Sequence, residues 1–204
     1  KSQALLKTNN LEQAEEALEL ALSLDHKNPD CHRKFAEILT LQSKWKKALI
    51  YRKQIANVLL PGSIDDLLEY ASCAINAGEF TQAEDACNRV LKAAPENSIA
   101  LANLGTVKQN AGLQSEAHEL FLKATLIKPD LEVAWINLSN LYYETGQIDK
   151  ARETLRSAVL GCPDSATVAF ALAEQYLSDG MVTDALPYLK KAAEMHPEKP
   201  AVCL

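Results

Sequence analysis

The chain has 204 residues, 48% of them hydrophobic, which is ample for one soluble folded domain with a substantial buried core, while seven glycines and 6% aromatics argue against a many-stranded β fold. Its 21 basic and 27 acidic residues, formally −6, disfavour a phosphate-backbone binder, so nucleic acid is not an expected partner. No stretch approaches the roughly 18 apolar residues of a membrane span, so no membrane insertion is expected, and five cysteines without a C-x-x-C pair read as reduced thiols of a cytoplasmic protein.

One alanine per repeat exposes the organisation. Ala14, Ala48, Ala83, Ala117, Ala151 and Ala185 recur at 34 residues, with a single step of 35 between Ala48 and Ala83. In chain order the repeats are 1–28, which lacks its start, then 29–63, 64–97, 98–131, 132–165 and 166–199, with a stub at 200–204. Each predicts a helix, a tight turn, a second helix and a break.

In the first repeat Asn9 takes the turn position, and in the second Ser43 does, a departure because serine adopts a left-handed conformation reluctantly. The second repeat also puts His32 where the fifth has Trp135, and Arg52 where it has Leu155, and it is one residue longer than the others. Pro61-Gly62-Ser63 with Asp66 is a Ser-x-x-Asp signal that restarts the helix of the third repeat. Gly78, Gly112, Gly146 and Gly180 hold the turn from there on, and Pro95, Pro129, Pro163 and Pro197 follow the second helices, which they cannot continue. Pro187 is expected in the first turn of its helix, where a missing amide costs little.

The fifth repeat carries Trp135, Leu138, Tyr142, Gly146, Ala151, Leu155, Ala158 and Pro163 in order, with Ser139 at a place usually glycine. This resembles the tetratricopeptide repeat (TPR), and the likeness extends over essentially the whole chain. The resemblance implies an all-α fold, a right-handed α-solenoid of helix-turn-helix hairpins with a concave groove, forming a single domain over 1–204. Because Lys1 enters partway through a repeat and 200–204 begin another, a fragment of a longer array is expected. With Ala185, Leu189 and Ala192 lacking a following helix, self-association through the terminal repeats is expected too.

Catalytic and metal chemistry find little footing. His26, Cys31 and His32 match no structural zinc spacing, and His32 stands in register with a core tryptophan. Cys73 and Cys87 sit in register with Leu141 and Leu155, as small core residues. The glycines serve turns rather than a phosphate loop, and nothing places a nucleophile beside a base, so no catalytic residue, metal or cofactor is expected.

In tetratricopeptide proteins the first helices line the groove that receives peptides, so the resemblance makes a protein or peptide the expected partner. In this register the groove residues are Arg33, Lys34 and Glu37; Leu68, Glu69, Ser72 and Asn76; Asn103, Thr106, Gln109 and Asn110; Ile136, Asn137, Asn140 and Tyr143; and Phe170 and Glu174. Asn103 and Asn137, 34 residues apart, resemble two rungs of the asparagine ladder in the repeat arm of O-linked N-acetylglucosamine transferases. The lysine–asparagine carboxylate clamp of chaperone-tail binders is disfavoured, because its places hold Arg33 and Glu37, Leu68 and Ser72, or Ala102 and Thr106. Base-by-base RNA reading, as in pentatricopeptide proteins, is opposed by the lack of a shared basic stripe. Charge is uneven: repeat 29–63 carries +5 and repeat 64–97 carries −5, either mutually attractive neighbours or a surface that orients a charged partner. Two function classes follow, an interaction scaffold and the substrate-selecting arm of a larger enzyme such as a glycosyltransferase.

Overall fold

The computed structural model describes residues 2–59 and 63–195, with side chains from 13 onward. Among the described residues the regular structure is entirely helical. The helices are α1 (Ser2–Leu24), α2 (Pro29–Leu41), α3 (Trp45–Gln54), α4 (Ile64–Ala77), α5 (Phe80–Ala93), α6 (Ser98–Asn110), α7 (Gln114–Ile127), α8 (Glu132–Glu144), α9 (Ile148–Gly161), α10 (Ala166–Ser178) and α11 (Val182–Met195). They form two compact units that divide between Pro95 and Glu96. The first contains hairpins α2–α3 and α4–α5; the second contains α6–α7, α8–α9 and α10–α11.

Every hairpin closes through the same turn. A residue at φ between +57° and +78° ends the first helix: Ser43, Gly78, Gly112, Gly146 and Gly180. The next amide reaches back to the carbonyl five residues earlier, as Lys44 to Leu39, Glu79 to Ala74, Leu113 to Lys108, Gln147 to Tyr142 and Met181 to Tyr176, all at 2.8–2.9 Å. This left-handed closure satisfies helix-end carbonyls that would otherwise be orphaned. At the other end Asn28, Ser63, Asn97 and Ser165 accept amide protons from the first turns of α2, α4, α6 and α10. Leu131 has no such side chain, and α8 begins without a side-chain cap.

Within each unit the core is built where a second helix meets the next first helix. In the second unit Ala117 and Phe121 of α7 pack with Leu138 and Leu141 of α8, and Leu155 of α9 packs with Leu172, Ala173 and Tyr176 of α10. Size is matched within a hairpin as well. A Cβ added at Gly105 would stand 2.6 Å from the Phe121 ring, so the larger Phe121, at the place Leu155 holds later, requires the smallest residue opposite it. At the equivalent place the next hairpin carries Ser139, which is buried and donates to the Ala151 carbonyl at 3.0 Å.

Three expectations are corrected, and the place of the inserted residue is found. Asn9 does not turn the chain: α1 is one continuous helix from Ser2 to Leu24, because without a left-handed residue the uninterrupted hydrogen-bond ladder is the less costly path. The extra residue of the second repeat is absorbed in a π-helical turn, Ile55–Leu59, that continues α3, as expected of a one-residue insertion into a helix. Pro187 is the sixth residue of α11, beyond the first turn, and forfeits an amide bond to the Thr183 carbonyl. Ala185 and Ala192 are already buried against α10, and the exposed large apolar residues of the last hairpin are Leu177, Met181, Val182 and Leu186. Pro61, Gly62, Pro197 and the stub at 200–204 lie outside the described residues.

Ser43 is the non-glycine described residue at positive φ, at 57°. Ser43→Gly is expected to stabilise the first unit by about 1 kcal/mol by relieving Cβ–carbonyl crowding. Denaturant unfolding checks this: the midpoint rises at unchanged slope, and an unchanged or lower midpoint refutes it.

Candidate functional site

The groove residues of the first unit are largely engaged with the fold. Arg33 of α2 grips Asp66 of α4 with two parallel bonds, Nε to Oδ1 at 2.9 Å and an Nη to Oδ2 at 2.7 Å, and a third bond of 3.0 Å ties it to Asp30. Asp66 is 5% exposed, so this ion pair is a clamp between two helices rather than a free groove cation. Bonding to Arg33 holds the Asp66 carboxyl below the usual range, against the upward pull of burial, and the same contact raises Arg33. Lys34 pairs with Glu37 at 3.2 Å, Glu69 pairs with Arg52 of α3 at 3.2 Å, and the Asn76 amide bonds to the Ser72 carbonyl of its own helix. Leu68 is half-buried. The charge blocks of repeats 29–63 and 64–97 therefore meet each other, through Arg33–Asp66 and Arg52–Glu69. The sequence showed Asp66 as a helix-start residue only; a partner 33 residues away leaves no local signal.

In the second unit the stacked first helices use several polar groups on one another. Asn137 Nδ2 donates to Thr106 Oγ1 at 3.1 Å and Gln109 Nε2 to Glu144 Oε2 at 2.7 Å, while Asn110 Nδ2 turns back to the Thr106 carbonyl of its own helix at 2.8 Å. Asn103 Nδ2 is buried without an acceptor. Phe170 is half-buried against Ala166, Ala169 and Ala192. One expected asparagine rung is thus bonded within the fold and the other has its amide nitrogen buried.

Ile136, Asn140, Tyr143 and Glu174 are brought together on an open cleft of ≈ 250 Å³ between α8 and α10, with Leu155 and Ala171 at its base. Tyr143 is 49% exposed, and Asn140 and Glu174 are also exposed. Ser139, Gln175 and Ser178 join this lining and were not among the expected groove residues. Ile136 also borders a second cleft, ≈ 500 Å³, with Asp130, Glu132, Val133 and Thr167.

His32 takes over the job of the tryptophan with which it is in register. Trp135 Nε1 donates to the carbonyl six residues back, Pro129, at 2.8 Å, and His32 Nε2 lies 2.9 Å from the carbonyl six residues back, His26. A carbonyl only accepts, so this contact assigns the proton to Nε2. Burial pushes the Cys73 thiol up to about 11 and the Cys87 thiol to about 12, which makes both poor nucleophiles. Among the described residues no three His, Cys, Asp or Glu side chains gather as a metal set, and no helix is long and apolar enough to cross a membrane.

Helical hairpins stacked through shared cores define the fold class, an all-α helical-repeat solenoid. Tetratricopeptide-repeat models match residues 132–174 and 1–28. Solved structures of the same fold include a tetratricopeptide repeat protein from Parabacteroides merdae (18% identity, TM-score 0.77, covering 96% of this chain and 76% of that one). A thermophilic TPR protein of Thermus thermophilus, TTC0263, is similar at 19% identity and TM-score 0.71, over 86% and 95% of the two chains. The anaphase-promoting-complex hetero-tetramer Cut9–Hcn1 matches at 20% identity and TM-score 0.65, over 97% of this chain but only 39% of that chain. A comparison with curated protein sequences finds no match. The chain thus carries tetratricopeptide-repeat matches at 1–28 and 132–174 and shares the fold of tetratricopeptide-repeat structures; such repeats are generally non-catalytic interaction scaffolds.

The Arg33–Asp66 clamp makes stability acid-sensitive. Asp66 has a folded pKa below its unfolded value of about 3.9, so its contribution is complete above that pH and is lost as pH falls through the folded value. Asp66→Asn is expected to cost about 2 kcal/mol at neutral pH and to flatten the stability curve below pH ~4. Unfolding midpoints measured across that range check this, and parallel curves for the two proteins refute it.

Proposed function

We propose that this scaffold seats an extended segment of a partner protein on its second unit, in the cleft between α8 and α10. One observation carries the reading: Asn140, Tyr143 and Glu174 remain unengaged while Gln109, Asn110 and Asn137 are bonded within the fold, and the three share one cleft with an apolar base. An asparagine amide offers both a donor and an acceptor, which suits a peptide backbone of any sequence. The Tyr143 ring adds contact area at small conformational cost, and the Glu174 carboxylate supplies selectivity for a donor or cation on the partner. Support for a scaffold role also comes from the fold neighbour in the Cut9–Hcn1 structure, a chain solved as part of a hetero-tetramer.

The test begins with capture of a partner by the full chain, followed by titration of the purified pair. Tyr143→Ala together with Asn140→Ala is expected to weaken binding about 10–100-fold, with melting unchanged because both residues are exposed. Asn137→Ala, which removes an internal bond, acts on melting more than on affinity. If Lys46→Glu and Lys47→Glu on α3 abolish binding while the cleft variants leave it intact, the partner sits on the second helices and the proposal is wrong.

A further inference from the structure

Arg52 occupies a place that the other hairpins fill with Cys87, Phe121, Leu155 and Leu189. It is buried there like its counterparts, at 7% exposure beside 0% for Cys87 and Phe121 and 4% for Leu155. Taking a guanidinium out of water at such a position is costly unless hydrogen bonds replace its hydration. The fold supplies few. One Nη lies 3.2 Å from Glu69 Oε2, whose side chain is 60% exposed, and Nε is buried with no acceptor. Arg33, by contrast, is fully clamped by a buried carboxylate. Of the two arginines in repeat 29–63, the more deeply buried one has the poorer partner.

Its surroundings point outward. Arg52 lines an open cleft of ≈ 580 Å³ between α2 and α4, with Thr40 and Leu41 on one wall and Asp65 and Glu69 on the other. Leu41 is 73% exposed on the rim, although it is a large aliphatic residue. Three residues beyond Arg52 the helix changes to the π turn at Ile55, a feature that recurs at functional sites. Of the two cations lining the cleft, Arg33 is committed to the buried Asp66, which leaves Arg52 as the buried cation whose acid, Glu69, is solvent-exposed.

We infer that this cleft is a carboxylate-recognition site, in which Arg52 receives one carboxylate of a partner segment and Glu69 is the placeholder that it displaces. Exchange of one carboxylate for another leaves the guanidinium neutralised, and the released Glu69 passes into water at little cost because it is already mostly hydrated. A planar guanidinium at a low-dielectric floor gives shorter, stronger bonds to a carboxylate than a surface lysine does. Leu41 and the Thr40 hydroxyl then meet the flanking residues. Asp65, which has no cationic partner among the described residues, repels a second negative charge, so the site fits a single carboxylate and not an acidic run. It is separate from the cleft between α8 and α10 and does not depend on that reading. It also differs from a lysine–asparagine clamp on first helices, since Arg52 lies in the core register of a second helix.

The test uses the whole chain and the Arg52 Nε–H resonance, which burial protects from exchange and which Arg52→Leu assigns by its disappearance. The probes are a blocked peptide, acetyl-Ala-Ala-Glu-Ala-Ala-amide, its Gln counterpart, and acetyl-Ala-Ala-Ala with a free C-terminus. A saturable shift with a carboxylate peptide and none with the Gln peptide supports the site, and the arm that responds tells a side-chain carboxylate from a chain end. Glu69→Gln removes the competitor and is expected to tighten binding about 3–10-fold. Arg52→Leu installs the residue a sister hairpin already carries, so melting should hold or rise while the peptide-induced shifts of the Thr40 and Leu41 amides vanish. The inference is overturned by an Nε–H signal that does not move at millimolar peptide, by equal responses to the Glu and Gln peptides, or by Glu69→Gln weakening binding. Loss of melting in both variants without any peptide response would make Arg52–Glu69 an ordinary structural pair.

Discussion

Close approach of the two helices in each hairpin is the constraint on which the rest of the molecule depends. Ala48, Ala83, Ala117, Ala151 and Ala185 are each at 0% exposure, and the facing places on the first helices hold Ala36, Ala71, Gly105, Ser139 and Ala173, all of them buried. Small residues on both sides let backbones come near enough for the Ser139 hydroxyl to reach the Ala151 carbonyl. Where one partner grows, the other must shrink, as with Phe121 and Gly105. Added methylenes in such a seam typically cost about 1–3 kcal/mol, and here they would also shift the neighbouring hairpin through the shared core.

That seam fixes the rotation of every first helix, and rotation decides which polar groups are free. With Leu138 and Leu141 turned onto Ala117 and Phe121, the opposite side of α8 is set against α6 along one edge and α10 along the other. Asn137 and Glu144 fall on the α6 edge and are taken up by Thr106 and Gln109. Asn140 and Tyr143 fall toward α10 and keep their hydrogen-bonding capacity, opposite Glu174. A binding surface thus emerges from what stacking leaves over.

This division explains how much the sequence discloses. Turns, repeat boundaries and the helix start at Ser63 are legible because they depend on one or two local residues: glycine at positive φ, and a hydroxyl placed before a helix. The face that lines a groove is legible from spacing, and Ile136, Asn140, Tyr143 and Glu174 do gather as that spacing implies. What the spacing cannot reveal is which members of the face are already spent. Asn140 and Asn137 look equivalent in sequence, yet a hydroxyl 31 residues earlier engages one of them. Likewise a step of 35 residues announces an insertion without saying that a π turn absorbs it. Asn9 and Pro187 misled for the reverse reason, because a local preference was outweighed by the continuity of a helix.

The adjoining blocks of opposite charge gain a physical meaning from the same packing. A surface that steers a partner needs charges projecting into solvent, where they act over a Debye length of roughly 8–10 Å. Part of the +5 and −5 is instead spent at short range, through the bidentate Arg33–Asp66 pair and the Arg52–Glu69 contact. Arg89 is bound to the Asn57 side chain and the Ala56 carbonyl, which ties α5 to the π turn. The opposite signs therefore hold neighbouring hairpins of the first unit together at the point where an inserted residue disturbs their register. Ion pairs partly shielded from water hold position better than they add stability, since desolvation offsets most of their attraction. Their role here is geometric: they set α2 against α4 where the repeat spacing alone, one residue out of step, would not.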